Sequence, residues 1–262
     1  MQSDNSVVFE RKDAVGIISL NRPGTYNGVN TELLNQLRTT LEYCHQDSSI
    51  RAVILRGEGP GFCGGADLSN FSDNPQPEMV RDYLIEHYPP LLKLMFTMPK
   101  PIIGAIHGSA AGVGAALALA CDLRIMTEDA NIRFAFINIG LGPDGGASWL
   151  LARLVGYARA FEIAVEGKKI DAKTCMQLGL SNRIASSGNL FSDALHWATE
   201  LAQRPTLAVA ITKEALHQSL HQDIYQNIEM EAINQMKAFN SKDFKEGVSA
   251  FLQKRKPNFT GS

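Results

Sequence analysis

Pro101-Ile102-Ile103-Gly104-Ala105-Ile106-His107-Gly108-Ser109-Ala110-Ala111-Gly112-Val113-Gly114-Ala115-Ala116-Leu117-Ala118-Leu119-Ala120-Cys121 holds a complete structural unit in one run. Pro101–Ile106 is short and wholly apolar, the pattern of a strand covered on both faces in a parallel sheet. Gly108–Gly114 is a turn of glycine and alanine, through which a backbone can bend sharply and approach a ligand. Ala115–Cys121 is the helix that this turn opens. Upstream, Ala52–Arg56 is another apolar strand, followed by Gly57, Gly59, Pro60 and Gly61, a glycine-rich turn over Phe62–Asp67, and a short helical piece from Leu68. Downstream, Ile139–Leu154 reads as a third copy, its turn being Leu141-Gly142-Pro143-Asp144-Gly145-Gly146. A recurring strand, glycine turn and helix predicts a superhelical β/α coil rather than a short-repeat solenoid. Taken locally, Asp144 is a turn residue or a cap for the helix near Ala147.

The remaining elements follow from local signals. Val7–Phe9 and Val15–Leu20 are strands joined by a turn at Lys12-Asp13. Asn30 or Thr31 caps a helix over Glu32–His45, whose Leu33, Leu34, Leu37 and Leu41 share one face. Ser72–Glu78 is polar and proline-containing and reads as a loop. Met79–Met98 is an amphipathic helix with a break expected at Pro89-Pro90. Asp122–Met126 and Asn131–Phe134 are strands. Beyond Tyr157 the chain becomes helical: Ala158–Val165, a helix capped by Asp171, then Leu190–Ala202, Leu207–Leu220, Ile224–Phe239 and Lys242–Lys254. The last carries Phe244, Val248 and Phe251 at helical spacing, an apolar face expected to dock.

Composition excludes several function classes. The chain has 262 residues, 45% hydrophobic and 20% charged, with a net charge of -2. That is the profile of a globular chain large enough for a sizeable core, with no strong field for nucleic acid or a membrane surface. Cys44, Cys63, Cys121 and Cys175 are widely spaced and form no metal or redox motif. Four cysteines in a chain of this length fit a reducing compartment. The start lacks a signal-peptide core and the end is no peroxisomal address, so the expected location is the cytoplasm. The longest apolar run, Ala110–Cys121, is about half a membrane span.

Six motifs in one order carry a family resemblance. They are Asn21-Arg22-Pro23 with Asn27; Gly61-Phe62-Cys63-Gly64-Gly65-Ala66-Asp67-Leu68; Pro99–Gly108 with Ala111-Gly112-Val113-Gly114; Cys121-Asp122; Gly140-Leu141-Gly142-Pro143; and Glu246–Arg255. Together they resemble the enoyl-CoA hydratase/isomerase, or crotonase, superfamily along nearly the whole chain. The resemblance implies an α/β ββα superhelix with a C-terminal helical trimerisation region, here residues 1–200 as a spiral core and 201–262 for oligomerisation. It implies an acyl-CoA thioester as substrate, a homotrimer or a hexamer of two trimers, and no separate cofactor or metal. Two backbone N–H groups, those of Ala66 and Val113, would form an oxyanion hole. Arg22, Cys63, Gly65, Asp67, Leu68, Gly112 and Phe136 would line the acyl-CoA site, and Phe251 and Lys254 would reach a neighbour's coenzyme A.

The departures from the family pattern select among its reactions. The two glutamates with which the family's hydratases orient water correspond to Ala116 and Phe136, neither of which can transfer a proton. Asp144 corresponds to the single carboxylate of its isomerases. The run Leu141–Gly146 with Ser148–Leu151, and the ending through Pro257–Gly261, resemble the branch that isomerises ring-1,2-epoxyphenylacetyl-CoA. The resemblance therefore implies a double-bond isomerase, of 3-enoyl-CoA or ring-epoxide type, with Asp144 as the proton carrier. Alternatives are a hydratase-like lyase, a dehalogenase or hydrolase with Asp144 as nucleophile, and a non-catalytic acyl-CoA-binding protein.

Overall fold

The structure, a computed structural model, describes residues 5–70 and 76–262. Ser72–Pro75 of the expected loop lie outside the described residues. The chain runs β1 (Val7–Lys12), β2 (Val15–Leu20), α1 (Thr31–Gln46), β3 (Ala52–Gly57), α2 (Pro77–Thr97), β4 (Ile102–Ile106), β5 (Ser109–Ala111), α3 (Val113–Ala120), β6 (Leu123–Thr127) and β7 (Asn131–Arg133). It continues through α4 (Ala147–Val155), α5 (Tyr157–Glu166), β8 (Lys169–Asp171), α6 (Ala172–Gln177) and β9 (Arg183–Ala185). Four helices finish it: α7 (Leu190–Ala202), α8 (Thr206–Ser219), α9 (Ile224–Phe239) and α10 (Lys242–Leu252).

The main sheet has the order β1-β2-β3-β4-β6-β9, parallel except for the β1–β2 hairpin. Its inner strands β2, β3 and β4 are covered on both sides, and the period of two sorts their residues between two cores. Ile18 and Leu20 of β2, Val53 and Leu55 of β3, and Ile102 and Ile106 of β4 join the core under α1, α2 and α3. Val15, Ile17, Ala52, Ile54, Ile103 and Ala105 face the other way, against Ala194, Trp197 and Ala198 of α7. A small second sheet, β5-β7-β8, stands apart and pairs β5 with β7 in parallel and β7 with β8 antiparallel.

Local chemistry accounts for most boundaries. Asn30, rather than Thr31, caps α1, its side chain accepting from Leu33 N at 2.9 Å. The four α1 leucines are buried, each contributing about 2 kcal/mol of transfer free energy as an upper estimate. Asp171 caps α6 through Thr174 N. α3 is buried at all eight positions, as a helix that is apolar all round must be.

Three expectations are corrected. α2 does not break at Pro89-Pro90 but begins at Pro77 and runs through both prolines. The carbonyls that lose their helical donors there belong to Ile85 and Glu86, which are exposed and can bond water instead. Gly108–Gly114 is not only a turn: it contains β5, and α3 starts at Val113. The third copy of the unit lacks its strand. Ala135–Ile139 is a short 3-10 helix with Ile137 and Ile139 exposed, so it has no two covered faces to place in a sheet.

Candidate active site

The first glycine loop leaves β3 and is held by the buried Asn27. Its Nδ2 donates to the carbonyls of Glu58 at 2.8 Å and Gly61 at 2.9 Å, and its Oδ1 accepts from Arg22 N. Its backbone is left-handed, φ 55°, a conformation asparagine tolerates better than most residues. Cys63 N donates to Ser109 O and Ala111 N to Cys63 O, which lays this loop along β5. Further on, Val29 N donates to Gly65 O and Asp67 N to Val29 O. These bonds straddle Ala66, whose own amide has no acceptor among the described residues.

The second loop ends β5 and starts α3. Gly112 N donates to Arg133 O, and Gly112 takes φ 53° and ψ -126°, a backbone conformation that side chains resist. Ala115 and Ala116 return their amides to Gly112 O, whereas the Val113 amide has no acceptor among the described residues. It sits in the first turn of α3, where the helix presents partial positive charge. The two loops touch: a Cβ built on Gly112 would lie 3.8 Å from Gly65 Cα and 3.9 Å from the Phe136 ring. On Gly114 it would lie 2.4 Å from Cys63 O, so only glycine allows this approach.

Asp144 closes the third side. It does not cap α4, whose N-cap is Gly146 with no side-chain bond; only its carbonyl participates, accepting from Ala147 N at 2.9 Å. The carboxylate Oδ1 is buried without a hydrogen-bond partner among the described residues. Burial pushes its pKa up from the ordinary 3.8 to about 6. A Cβ on the adjacent Gly145 would meet Val113 Cγ2 at 2.8 Å and the Tyr88 ring at 3.6 Å, so the carboxylate turn abuts the second loop.

The other residues singled out from sequence divide into groups. Gly65, Ala66, Gly112, Val113, Phe136 and Asp144 come together. Ala116 and Phe136 are buried, and among the described residues Asp122 and Asp129 are engaged elsewhere: Asp122 accepts from Ile102 N and Lys213 Nζ, and Asp129 from Ser187. Arg22 and Asp67 form an ion pair at 2.8 Å that braces the first loop, and Arg22 also donates to Gly28 O. The Asp67 carboxyl is lowered by Ser69 and then by Arg22. Cys63 belongs to the first loop by its backbone. Its Sγ is fully buried, donates to Asn27 O, and is pushed up to about 12 by burial. Leu68 is exposed beside the loop.

Phe251 and Lys254 lie at the other end of the chain. Only part of the apolar α10 face docks within the chain, with Phe244 against Phe239 at 4.1 Å between ring centroids, while Val248 and Phe251 are exposed. Sequence reading missed Tyr83 and Tyr88, because aromatic residues in an amphipathic helix read as core. The charge of Asp144 raises the pKa of both phenols, after burial itself. Among the described residues no group of three His, Cys, Asp or Glu side chains could hold a metal ion. No helix among them is long and apolar enough to cross a membrane.

Comparison with known proteins bears on the chain as a whole. A family model described as enoyl-CoA hydratase/isomerase matches residues 10–262. The chain is 37% identical over 246 residues to the 1,2-epoxyphenylacetyl-CoA isomerase of Escherichia coli (strain K12), covering 93% of this chain and 94% of that one. It is 32% identical over 257 residues to the 2,3-dehydroadipyl-CoA hydratase of the same strain, covering 98% and 99%. The crystal structure of an enoyl-CoA hydratase from Bacillus anthracis matches with a TM-score of 0.93 and 31% identity, covering 98% of this chain and 100% of that one. Isomerase and hydratase names both occur among these relatives, and the solved hydratase shares this chain's spiral of β/α units. With two glycine loops meeting at a desolvated carboxylate on that scaffold, the chain is a crotonase-fold enzyme and belongs to the enoyl-CoA hydratase/isomerase family.

Proposed function

We propose that this enzyme shifts a carbon–carbon double bond in an acyl-CoA thioester. Asp144 takes a proton from C2, the C2–H bond electrons delocalise into a dienolate, and the same proton returns at C4. The conjugated enoyl thioester results, with no redox change and no cofactor beyond the coenzyme A of the substrate. The Ala66 and Val113 amides hold the enolate oxygen as negative charge moves onto it, assisted by the α3 dipole. The observation that carries this reading is the desolvated Asp144 carboxylate, with the apolar Ala116 and Phe136 at the positions where the family's hydratases carry glutamates. Its pKa of about 6 leaves it ionised at neutral pH yet basic enough to accept a carbon-bound proton.

The experiment is turnover of 3-enoyl-, 2-enoyl- and ring-epoxide acyl-CoA thioesters. Interconversion of the 3-enoyl and 2-enoyl esters, or ring-epoxide isomerisation, with weak or absent hydration of a crotonyl-type 2-enoyl-CoA is expected. Hydration at a dedicated hydratase's rate would sink the isomerase reading. For assembly, the same proposal takes the exposed Val248, Phe251 and Leu252 as contacts in a trimer or a pair of trimers. Phe251 would cover, and Lys254 would pair with, a neighbour's coenzyme A.

A further inference from the structure

A cavity of about 580 Å³ lies away from the Asp144 turn, between α4 and α8. Trp149 and Leu154 of α4 and Ala208 and Leu216 of α8 line its sides. Leu119 and Ala120 also line it, at the opposite end of α3 from Val113. None of Gly65, Ala66, Gly112, Val113, Phe136 and Asp144 does so. Inside the cavity the charges are already matched. The buried Lys213 donates to Asp122 Oδ2 at 2.8 Å and to Met95 O at 2.7 Å. Burial lowers the pKa of His217, so its imidazole is neutral at pH 7.

The edge of the cavity differs from its interior. Arg153 and Arg204 line it, are exposed, and have no acidic partner among the described residues. The Arg153 guanidinium lies 4.0 Å above the Trp149 ring and donates only to Trp149 O, at 3.5 Å. Leu154 and Leu216 are exposed beside them. Apolar walls, a neutral interior and unmatched positive charge at the rim are complementary to one hydrocarbon chain with one anionic end. A single turn of helix, about 10–12 Å across and 5.4 Å tall, would by itself take about 500 Å³, so the space suits a chain and not a docked helix.

We propose that the cavity between α4 and α8 is a binding site for a free fatty acid, its chain against Trp149, Ala208 and Leu216 and its carboxylate paired with Arg153 and Arg204. The site is separate from Asp144 and does not depend on the reaction carried out there. The two parts of the ligand contribute differently. Each methylene taken out of water raises affinity by up to about fourfold, whereas an exposed ion pair adds about fivefold at most. Chain length therefore sets the affinity, and the arginines set the preference for an anion.

The test is calorimetric titration of the whole chain with octanoate, decanoate and decan-1-ol, below the concentrations at which they form micelles. Decanoate should bind saturably and about tenfold more tightly than octanoate. Arg153→Ala combined with Arg204→Ala should weaken decanoate about tenfold and leave decan-1-ol unchanged. Ala208→Trp, which fills the cavity, should abolish the binding of both. Acetyl-CoA should not displace decanoate. The wild-type titrations stand even where a variant does not fold. No saturable binding of decanoate, an affinity that the arginine substitutions do not change, or displacement by acetyl-CoA overturns the assignment. So does light scattering that shows Ala208→Trp breaking up an oligomer whose wild-type form binds no decanoate, since a second copy of the chain then fills the cavity.

Discussion

Asp144→Asn should inactivate the enzyme and stabilise it, and the two effects have one cause. The folded protein holds the carboxyl at about 6 against an ordinary 3.8, because burial disfavours its charged form. Between those values the unfolded chain has released this proton and the folded chain still binds it, so the contribution of Asp144 to stability falls as pH rises. Above pH 6 the whole penalty is present. The shift corresponds to about 3 kcal/mol at most, and partial solvent access reduces it to about 1–2 kcal/mol. Asparagine has the shape of the protonated acid and never ionises. Its stability advantage should therefore be about 1–2 kcal/mol at pH 7, or a few degrees in Tm, and shrink steadily towards pH 4. Paired thermal melts of wild type and variant across pH 4–7 measure it, with kcat/KM as the functional partner. Wild-type kcat/KM should rise with pH through about 6, and the variant should lose about 100-fold or more of the rate. A stability difference that does not change with pH would refute the claim that a desolvated Asp144 is the ionising group. Near-normal turnover by the variant would refute its role as base.

Asn27→Ala should cost about 2–4 kcal/mol in urea melts and lower kcat, since the carbonyls of Glu58 and Gly61 lose their donor and the first loop loosens; unchanged stability would show that the loop holds itself. Lys213 is buried and donates to Met95 O and Asp122 Oδ2, joining α8 to the core, so Lys213→Ala should destabilise by about 3–5 kcal/mol through the stranded carboxylate. A loss below about 1 kcal/mol would mean that Asp122 is adequately hydrated without it. Phe251 is 82% exposed in the single chain, so Phe251→Ser should leave the fold intact while light scattering shows weaker oligomers and CoA-ester affinity falls; full assembly with unchanged affinity would exclude the docking role.

Glycine spacing and strand periodicity were enough to read the first two β/α units, the two glycine loops that hold Ala66 and Val113, and the turn that holds Asp144, but not that the third copy lacks its strand. These are local properties: an apolar run of five or six residues and a glycine turn constrain the backbone wherever the chain lies. The absence of acid-base groups at Ala116 and Phe136 was equally legible once those positions were aligned with the family pattern. What needed the tertiary structure depends on residues far apart in the chain. Pro89-Pro90 reads as a helix break, yet α2 continues because its freed carbonyls face solvent rather than core. Cys63 stands in a ligand-facing motif, yet its thiol turns inward to Asn27 O. Tyr88 is an ordinary helix aromatic until packing sets it against Gly145, 57 positions on. The raised pKa of Asp144 is likewise a property of its surroundings: charge in the sequence is a matter of residue type, whereas desolvation depends on which distant side chains exclude the water.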